Sequence, residues 1–293
     1  AVVVDDITME ITHVIRGDDH LTNAVRHVLL FKALGSRPPK FLHHSLLFGA
    51  DGAKLSKRHG STSVSDYRAL GYLPEALVNY LALLSWSPGA GDEREIFTPG
   101  QLVEEFSIKG VSASKAIFDF DKLNWIGRQH IKMRSDRELA RLMEPFLRST
   151  GRNELLALPP DRLAVATGAV RNAMEKLTDG LEPMDIFVRP AGDVSAKAAA
   201  ELAKATDLEE ALALCVETLR AESSADLETA ERIVEELRRA AEERGWGARK
   251  VLWPLRLAVT GMTVGPDLTY LIMFWGPGGC ADRIEATAAG LGD

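Results

Sequence analysis

The chain carries the segment Gly52-Ala53-Lys54-Leu55-Ser56-Lys57-Arg58-His59-Gly60, and an apolar run from Phe41 to Phe48 leads into it. Glycines near both ends let the backbone adopt the dihedral angles that close approach to a ligand requires. Lysines three residues apart are hydrated point charges on flexible stems, which suit a polyphosphate. We interpret the segment as a cationic, phosphate-handling loop, although it lacks the P-loop pattern and composition alone also fits an ordinary basic surface turn.

The residues before this loop alternate between strand and helix patterns. Four segments are predicted, in the order strand, strand, helix, strand: Ala1 to Val4, Ile7 to Ile15, Leu21 to Leu34, and Phe41 to Phe48. The strand–helix–strand order is typical of a doubly wound sheet, in which ligands bind beyond the carboxyl ends of the strands. We therefore expect Arg16–His20 and Lys54–Arg58 to reach one crevice. A buried strand at the first residues would need partners, so we also expect residues upstream of Ala1.

The remainder of the chain is predicted to be helical. Pro74 and Pro99 occupy the first-turn position that proline prefers in a helix. From about residue 131 onward, amphipathic segments follow one another with glycine, proline or short polar breaks between them. The predicted fold class is mainly α with an N-terminal α/β portion.

Bulk composition excludes several classes of protein. The 293 residues are 46% hydrophobic with a mean hydropathy of −0.06, and no run is apolar enough for a membrane span. Two distant cysteines, Cys215 and Cys280, exclude a four-cysteine zinc site within the chain and favour a reducing cytoplasm. The net charge of −7 does not by itself indicate a nucleic-acid binder, although basic residues cluster at Lys54–Arg58 and between Arg244 and Arg256.

The order of residues in the lysine segment carries a resemblance. Lys54 to Arg58 is similar to the Lys-Met-Ser-Lys-Ser loop of class I aminoacyl-tRNA synthetases, and the continuations Arg58 to Val64 and Gly71 to Leu81 resemble glutamyl-tRNA synthetase in particular. The resemblance implies that residues 1–60 form the second half of a Rossmann-like catalytic domain. It further implies a helical stem-contact region over 61–130 and an all-helical anticodon-binding domain over 131–293.

The resemblance also implies an activity: ATP-dependent activation of glutamate to glutamyl-adenylate, and transfer to tRNA(Glu). Cations beside the reacting phosphate lower the barrier of such a step, which predicts Lys54 and Lys57 as catalytic. The residues expected to bind ATP are Leu55, Ser56, Lys57, Arg58, Asp19 and His20. Magnesium is expected to arrive with ATP, and no metal site is predicted in the chain.

Arg16 is the residue expected to hold the glutamate side chain. It begins Arg16-Gly17-Asp18-Asp19-His20, which resembles the family's Arg-Gly-Glu-Asp-His with Asp18 in place of the usual glutamate. A planar guanidinium suits bidentate recognition of a carboxylate. The alternative is that Arg16 is only salt-bridged to Asp18 or Asp19.

A second set of residues is predicted to contact the anticodon. The stretch Lys250 to Gly261, followed by Gly265-Pro266-Asp267-Leu268, resembles the family's C-terminal pattern, which assigns anticodon contacts to Arg256 and Leu268. Ala173 falls where many relatives place an arginine linked to rejection of the glutamine anticodon, and the alternative is that Arg171 fills this role after a small shift in alignment. The resemblance therefore leaves tRNA(Gln) open as a second partner.

Two hypotheses for the chain's function remain after this reading. The first is a glutamate–tRNA ligase that lacks its N-terminal part and is inactive alone, because no His-x-Gly-His motif is present. The second is a truncated, non-catalytic tRNA-binding paralogue. We expect a cytoplasmic monomer that binds glutamate, ATP and tRNA and does not bind membranes.

Overall fold

The computed structural model describes residues 1–56, 58, 63–89, 91–112 and 114–291, in two units, Ala1–His130 and Ile131–Asp293. The helices that begin in the first unit are α1 Val2–Thr8, α2 Leu21–Ala33, α3 Val64–Ala69, α4 Pro74–Leu83, α5 Pro99–Glu105 and α6 Phe120–Lys132. Its strands are β1 His13–Gly17, β2 Lys40–His44, β3 Leu47–Phe48 and β4 Ala116–Ile117. The prediction of a mainly α chain with an N-terminal α/β portion is confirmed.

The β1–α2–β2 segment forms the predicted parallel crossover unit. β1 and β2 pair in parallel, with His13 opposite Lys40 and Gly17 opposite His44. β3 and β4 form a second parallel pair, in which Leu47 lies opposite Ala116. Parallel pairing places the carboxyl ends of neighbouring strands at the same edge, so the residues after β1 can meet those after β2.

The three predicted strands all differ from the structure, the first entirely and the other two in part. Ala1–Val4 begins helix α1 instead of a strand, and its backbone is satisfied internally, as when the Asp5 amide donates to the Ala1 carbonyl at 3.0 Å. The β-branched run favours a strand locally, but a strand needs a ladder partner and a helix does not. The predicted Ile7–Ile15 strand begins only at His13. The run Phe41–Phe48 is broken into β2 and β3, which pair with different strands.

A buried asparagine ties the helical part of the first unit together. Asn79, on α4, accepts hydrogen bonds from the Phe97 amide at 2.9 Å and from His130 Nε2 at 3.0 Å, and it donates to the Glu95 carbonyl at 3.1 Å. Phe97 also packs in a small core with Trp86 and Leu102. A fully satisfied buried polar group of this kind fixes the path of the 95–97 segment.

The second unit is built around its last helical element, α15 (Leu268–Leu291), whose two halves meet at a kink. Its helices are α7 Asp136–Ser149, α8 Asn153–Leu156, α9 Pro160–Val170, α10 Leu181–Met184, α11 Ala196–Leu202, α12 Leu208–Arg220, α13 Leu227–Glu243, α14 Arg249–Thr260 and α15 Leu268–Leu291. α15 packs against α9, α12, α13 and α14, and it is kinked at Gly276, where φ is 76° and a proline follows. No helix in the described part of the chain is both long and apolar enough to cross a membrane.

The C-terminal end of α14 is held by close backbone approach and by a buried arginine. Gly261 has φ of 68°, and a Cβ at this position would lie 2.1 Å from the Asp193 carbonyl oxygen. Arg283, on α15, donates to the Val259 carbonyl at 2.6 Å and to the carbonyls of Arg189 and Pro190 at 3.0 and 3.2 Å. These contacts fix the loop that follows α14.

Candidate functional site

Arg16 lies on β1 with its guanidinium held between two residues of β2. The strand register pairs Arg16 with His43, and Arg16 Nε donates to His43 Nε2 at 3.4 Å. The guanidinium carbon lies 5.5 Å from the centroid of the Phe41 ring, within cation–π range. The Arg16 guanidinium, a hydrogen-bond donor, is therefore carried by a strand and not by a loop.

One terminal nitrogen of Arg16 takes no part in these contacts. Nη2 is buried and has no hydrogen-bond partner among the residues that the structure describes. Within the same described residues, no ion pair joins Arg16 to Asp18 or Asp19, which was the alternative to ligand binding. Buried polar atoms are almost always satisfied, so an orphan guanidinium nitrogen at a strand end indicates a site for an anionic acceptor.

The residues after β1 reach the lysine segment. Asp18–His20 form a single 3-10 turn, and Asp19 lies 3.5 Å from Lys54 Nζ and 3.8 Å from His20 Nε2. Gly17 allows this arrangement, because a Cβ there would lie 2.7 Å from Asp19 Oδ1. Asp19 and Lys54 therefore bring the two segments into contact, and the crevice expected to join them stays a prediction.

Lys54 is positioned by a short hairpin that turns back from β3. The Gly49 amide donates to the Ala53 carbonyl at 2.9 Å, the Leu55 amide donates to the Leu47 carbonyl at 2.8 Å, and Lys54 bridges Phe48 in antiparallel fashion. Gly52 supplies the turn with φ of 74°. The backbone of Lys54 is therefore fixed while its ammonium group remains exposed.

The other predicted nucleotide-binding residues differ in burial, and one of them is not among the described residues. Leu55 and Ser56 are half-buried directly after Lys54, and Arg58 is exposed. Lys57, the other predicted catalytic lysine, lies outside the described residues. Asp19 and His20 are exposed at the end of β1. No group of three or more His, Cys, Asp or Glu side chains in the described part of the chain could hold a metal ion.

The second unit contains a cavity of about 720 Å³ between α13, α14 and the start of α15. Arg256 lines it, donating from Nη1 to the Gly265 carbonyl at 2.9 Å and also to the Pro266 carbonyl. Burial lowers the pKa of Arg256. Leu268, the first residue of α15, lines the same cavity and is 8% exposed.

Two further cavity residues extend the predicted pair. Arg238 of α13 lines the cavity but was not predicted, because acidic residues dominate the sequence of that helix. Arg249 also lines it, with its guanidinium carbon 5.5 Å from the centroid of the Trp253 ring. The cavity thus combines three guanidinium groups with an aromatic ring, the side chains that stack on and hydrogen-bond to unpaired bases.

Ala173 lines a neighbouring cavity of about 540 Å³, which also includes Gly265 and Pro266. The nearby Arg171 is already engaged, because its Nη1 lies 2.9 Å from Asp136 Oδ1 and donates to the Arg134 carbonyl at 3.3 Å. Burial raises the pKa of Asp136, and the Arg171 charge opposes this shift.

Comparison with known proteins assigns a family to each of two parts of the chain. Residues 1–125 match the family described as tRNA synthetases class I (E and Q), catalytic domain, and residues 138–288 match the family described as anticodon binding domain. Glutamate–tRNA ligase 1 of Rubrobacter xylanophilus is 45% identical over 285 residues, covering 97% of this chain and 63% of that ligase. Glutamate–tRNA ligase of Carboxydothermus hydrogenoformans is 42% identical, and the chain covers 58% of its length. A crystal structure of a glutamate tRNA ligase from Elizabethkingia meningosepticum in complex with its amino acid has a TM-score of 0.78 at 28% identity, covering 99% of this chain and 59% of that one.

Proposed function

We propose that the chain serves in ATP-dependent ligation of glutamate to tRNA(Glu). It belongs to the class I (E and Q) tRNA synthetases in its catalytic part and to the anticodon-binding domain family over residues 138–288. The chain spans 63% and 58% of the length of two of its glutamate–tRNA ligase relatives. The activity of a whole ligase is therefore part of the proposal.

The observation that carries the proposal is the orphan Nη2 of Arg16. A guanidinium can meet a carboxylate through two parallel hydrogen bonds, which favours glutamate over its neutral amide. The ring of Phe41 and the His43 contact limit the positions that the guanidinium can take, so the donor is pre-organised. In this proposal Arg16 selects glutamate by the negative charge of the glutamate side chain.

Lys54 and Lys57 supply positive charge to the reacting phosphate in the same proposal. Attack of the glutamate carboxylate on the α-phosphate of ATP expels pyrophosphate, and negative charge builds on the phosphate oxygens in the transition state. Lys54 stands on the hairpin beside Asp19, which places its ammonium group at the end of β1. Leu55, Ser56, Arg58, Asp19 and His20 complete the proposed ATP site. Magnesium bound to the incoming nucleotide would neutralise part of the phosphate charge.

The experiment that tests this proposal is a chimaera in which residues 1–293 replace the matching part of the Rubrobacter ligase. Glutamate-dependent pyrophosphate exchange and charging of tRNA(Glu) are then measured. For Arg16→Gln we expect kcat/KM for glutamate to fall by about a hundredfold, with KM for ATP little changed, because one charged hydrogen-bonding partner is lost. Arg26→Gln, an exposed arginine on α2, is the matched control.

Lys54→Met in the same chimaera should lower kcat on the order of a hundredfold, as expected for loss of one preorganised donor to the transition state. An Arg16→Gln chimaera that keeps its KM for glutamate would contradict the assignment of Arg16. A wild-type chimaera that charges no tRNA(Glu) would contradict the proposed function as a whole.

The cavity of the second unit is the proposed anticodon site, with Arg256 and Leu268 contacting a base. The absence of an arginine side chain at residue 173 supports relaxed selection, so we propose that tRNA(Gln) is also accepted. The chimaera and its Ala173→Arg variant are compared on both tRNAs, and the variant should discriminate more strongly against tRNA(Gln). We further propose a monomer that acts in the cytoplasm.

A second candidate function is tRNA binding without catalysis. It is favoured by the position of the arginine-lined cavity, which lies wholly within the second unit. The chimaera separates the two, because a non-catalytic tRNA-binding protein would bind tRNA(Glu) yet give no glutamate-dependent pyrophosphate exchange in that context.

A further inference from the structure

Helices α12 and α15 enclose a groove within the second unit, the α12–α15 groove, with a volume of about 750 Å³. Leu208, Leu212 and Val216 of α12 recur every four residues, so they share one face of that helix and line the groove together. Ile284 and Ala288 line it from α15 at the same spacing. An apolar groove of this kind is suited to an amphipathic helix, which buries its apolar face between the two walls.

The outer edge of α12 along this groove is acidic. Glu209 and Glu217 are exposed and line the groove, with Ala213 midway between them. Among the residues that the structure describes, neither glutamate forms an ion pair. On the opposite edge, Glu285 is already paired with Arg220 at 3.0 Å. The groove therefore combines an apolar floor with two carboxylates that lack a cationic partner.

We propose that the α12–α15 groove docks a basic amphipathic helix of a partner protein. The apolar face of this helix covers Leu212, Val216 and Ile284, and its lysine or arginine side chains pair with Glu209 and Glu217. α12 has 13 residues and is therefore about 20 Å long, which limits the docked segment to roughly the same length. The two glutamates lie about 12 Å apart along the helix axis, so cations two helical turns apart on the partner would meet both.

A second copy of the chain is a poorer occupant than such a helix. A two-fold interface places the same surface patch of both copies face to face, so Glu209 and Glu217 of each copy would meet those of the other. Like-charge juxtaposition across an interface is unfavourable, and the net charge of −7 adds to the repulsion between copies. A basic helix supplies the opposite charge.

The test measures the binding of three designed peptides to the full 293-residue chain by fluorescence anisotropy. The lysine peptide is a helix of about sixteen residues, slightly longer than α12, with leucines on one face and lysines beside them. The glutamate peptide has glutamate at every lysine position. The scrambled peptide keeps the composition of the lysine peptide but distributes its leucines around the helix. We expect the lysine peptide to bind at least tenfold more tightly than either of the others.

A charge reversal in the groove distinguishes docking there from general attraction to an acidic protein. Glu209→Lys/Glu217→Lys should weaken binding of the lysine peptide at least tenfold and should strengthen binding of the glutamate peptide. Lysine is a good helix former and both positions are exposed, so circular dichroism should show the fold unchanged. The matched control is Glu228→Lys/Glu235→Lys, which makes the same change of net charge at exposed positions of α13 and should bind the lysine peptide as the wild type does.

Hydrogen exchange provides a second readout, since the amides of residues 212–217 should exchange more slowly when the lysine peptide is bound. The proposal is overturned if the lysine peptide binds no more tightly than the scrambled one, or if the control variant loses as much affinity as the groove variant. It is also overturned if the charge reversal does not favour the glutamate peptide, if residues 212–217 gain no protection, or if light scattering shows that the chain self-associates through this groove. Because these readouts measure association, they are independent of whether the chain serves in ligation of glutamate.

Discussion

Replacing the buried Arg283 should destabilise the second unit more than replacing an exposed arginine that has two carboxylate partners. Arg283 donates three hydrogen bonds to carbonyl oxygens, those of Val259, Arg189 and Pro190, and its guanidinium carbon lies 4.2 Å from the centroid of the Trp275 ring. Among the described residues no carboxylate forms an ion pair with it. Burial lowers its pKa.

The magnitude follows from the three carbonyls. A hydrogen bond to a charged group contributes about 1.5–3 kcal/mol, so Arg283→Met, which loses three such bonds, forfeits roughly 4–9 kcal/mol of interaction. Removing a buried charge relieves its desolvation, which offsets several kcal/mol of that loss. Methionine also keeps an apolar contact with the ring of Trp275. The expected net loss in the free energy of unfolding is about 2–4 kcal/mol.

The matched control is Arg220→Met. Arg220 ends α12 and pairs with Asp282 and Glu285, at 2.8 and 3.0 Å, on the same helix that carries Arg283. Because these ion pairs are exposed to solvent, we expect this substitution to change stability little. Guanidinium chloride unfolding followed by circular dichroism at 222 nm measures both variants. Equal destabilisation by the two substitutions, or a larger effect of Arg220→Met, would refute the reasoning.

Three further predictions concern buried groups. Asn79→Ala should lower the free energy of unfolding by about 2–4 kcal/mol and speed hydrogen exchange at the Phe97 amide. The reason is that the buried partners of Asn79 lose their hydrogen bonds. Unchanged exchange at the Phe97 amide would count against the network. Burial raises the pKa of Tyr80 from 10.0 to about 12, so the folded state resists ionisation and stability should fall as pH rises through this window. In Tyr80→Phe, absorbance titration at 295 nm should show one tyrosine fewer that ionises with a raised pKa. Burial also raises the thiol pKa of Cys215 and Cys280 to about 12, so iodoacetamide at pH 8 should label them only after unfolding, as mass spectrometry would show.

Local sequence pattern predicts the elements whose contacts are local. The helix over α2 and the helices that begin at Pro74 and Pro99 follow from periodicity and from first-turn prolines. The pattern is wrong at Ala1–Val4, because a β-branched run does not reveal whether a partner strand is present. It also misses the break between β2 and β3, since the strand that pairs with β3 lies almost 70 residues further along the chain.

The contacts within the candidate sites also differ in whether local sequence predicts them. The meeting of Asp19 with Lys54 follows only in part from strand order, because Lys54 lies on the hairpin after β3, and β3 pairs with β4 instead of with β1. The contact of Arg16 with His43 depends on strand register, which is a tertiary property. Arg238 is missed because it lies in a helix whose acidic residues dominate its pattern. The separate roles assigned to residues 1–60 and 61–130 stay predictions.

The hairpin that carries Lys54 constrains the number of residues in its turn as well as the types of those residues. Successive side chains on an extended strand point to opposite sides, so the side on which Lys54 emerges depends on the number of residues in the turn. Gly49 and Ala53 close that turn through their backbones, while Asp51 Oδ1 accepts from the Ala53 amide at 2.9 Å and Gly52 takes a left-handed φ, which leaves the side chains at the other positions of the turn less constrained. Over Gly49–Ala53, evolution should therefore tolerate substitution at several positions while rejecting single-residue insertions and deletions, which would turn the lysine away from Asp19.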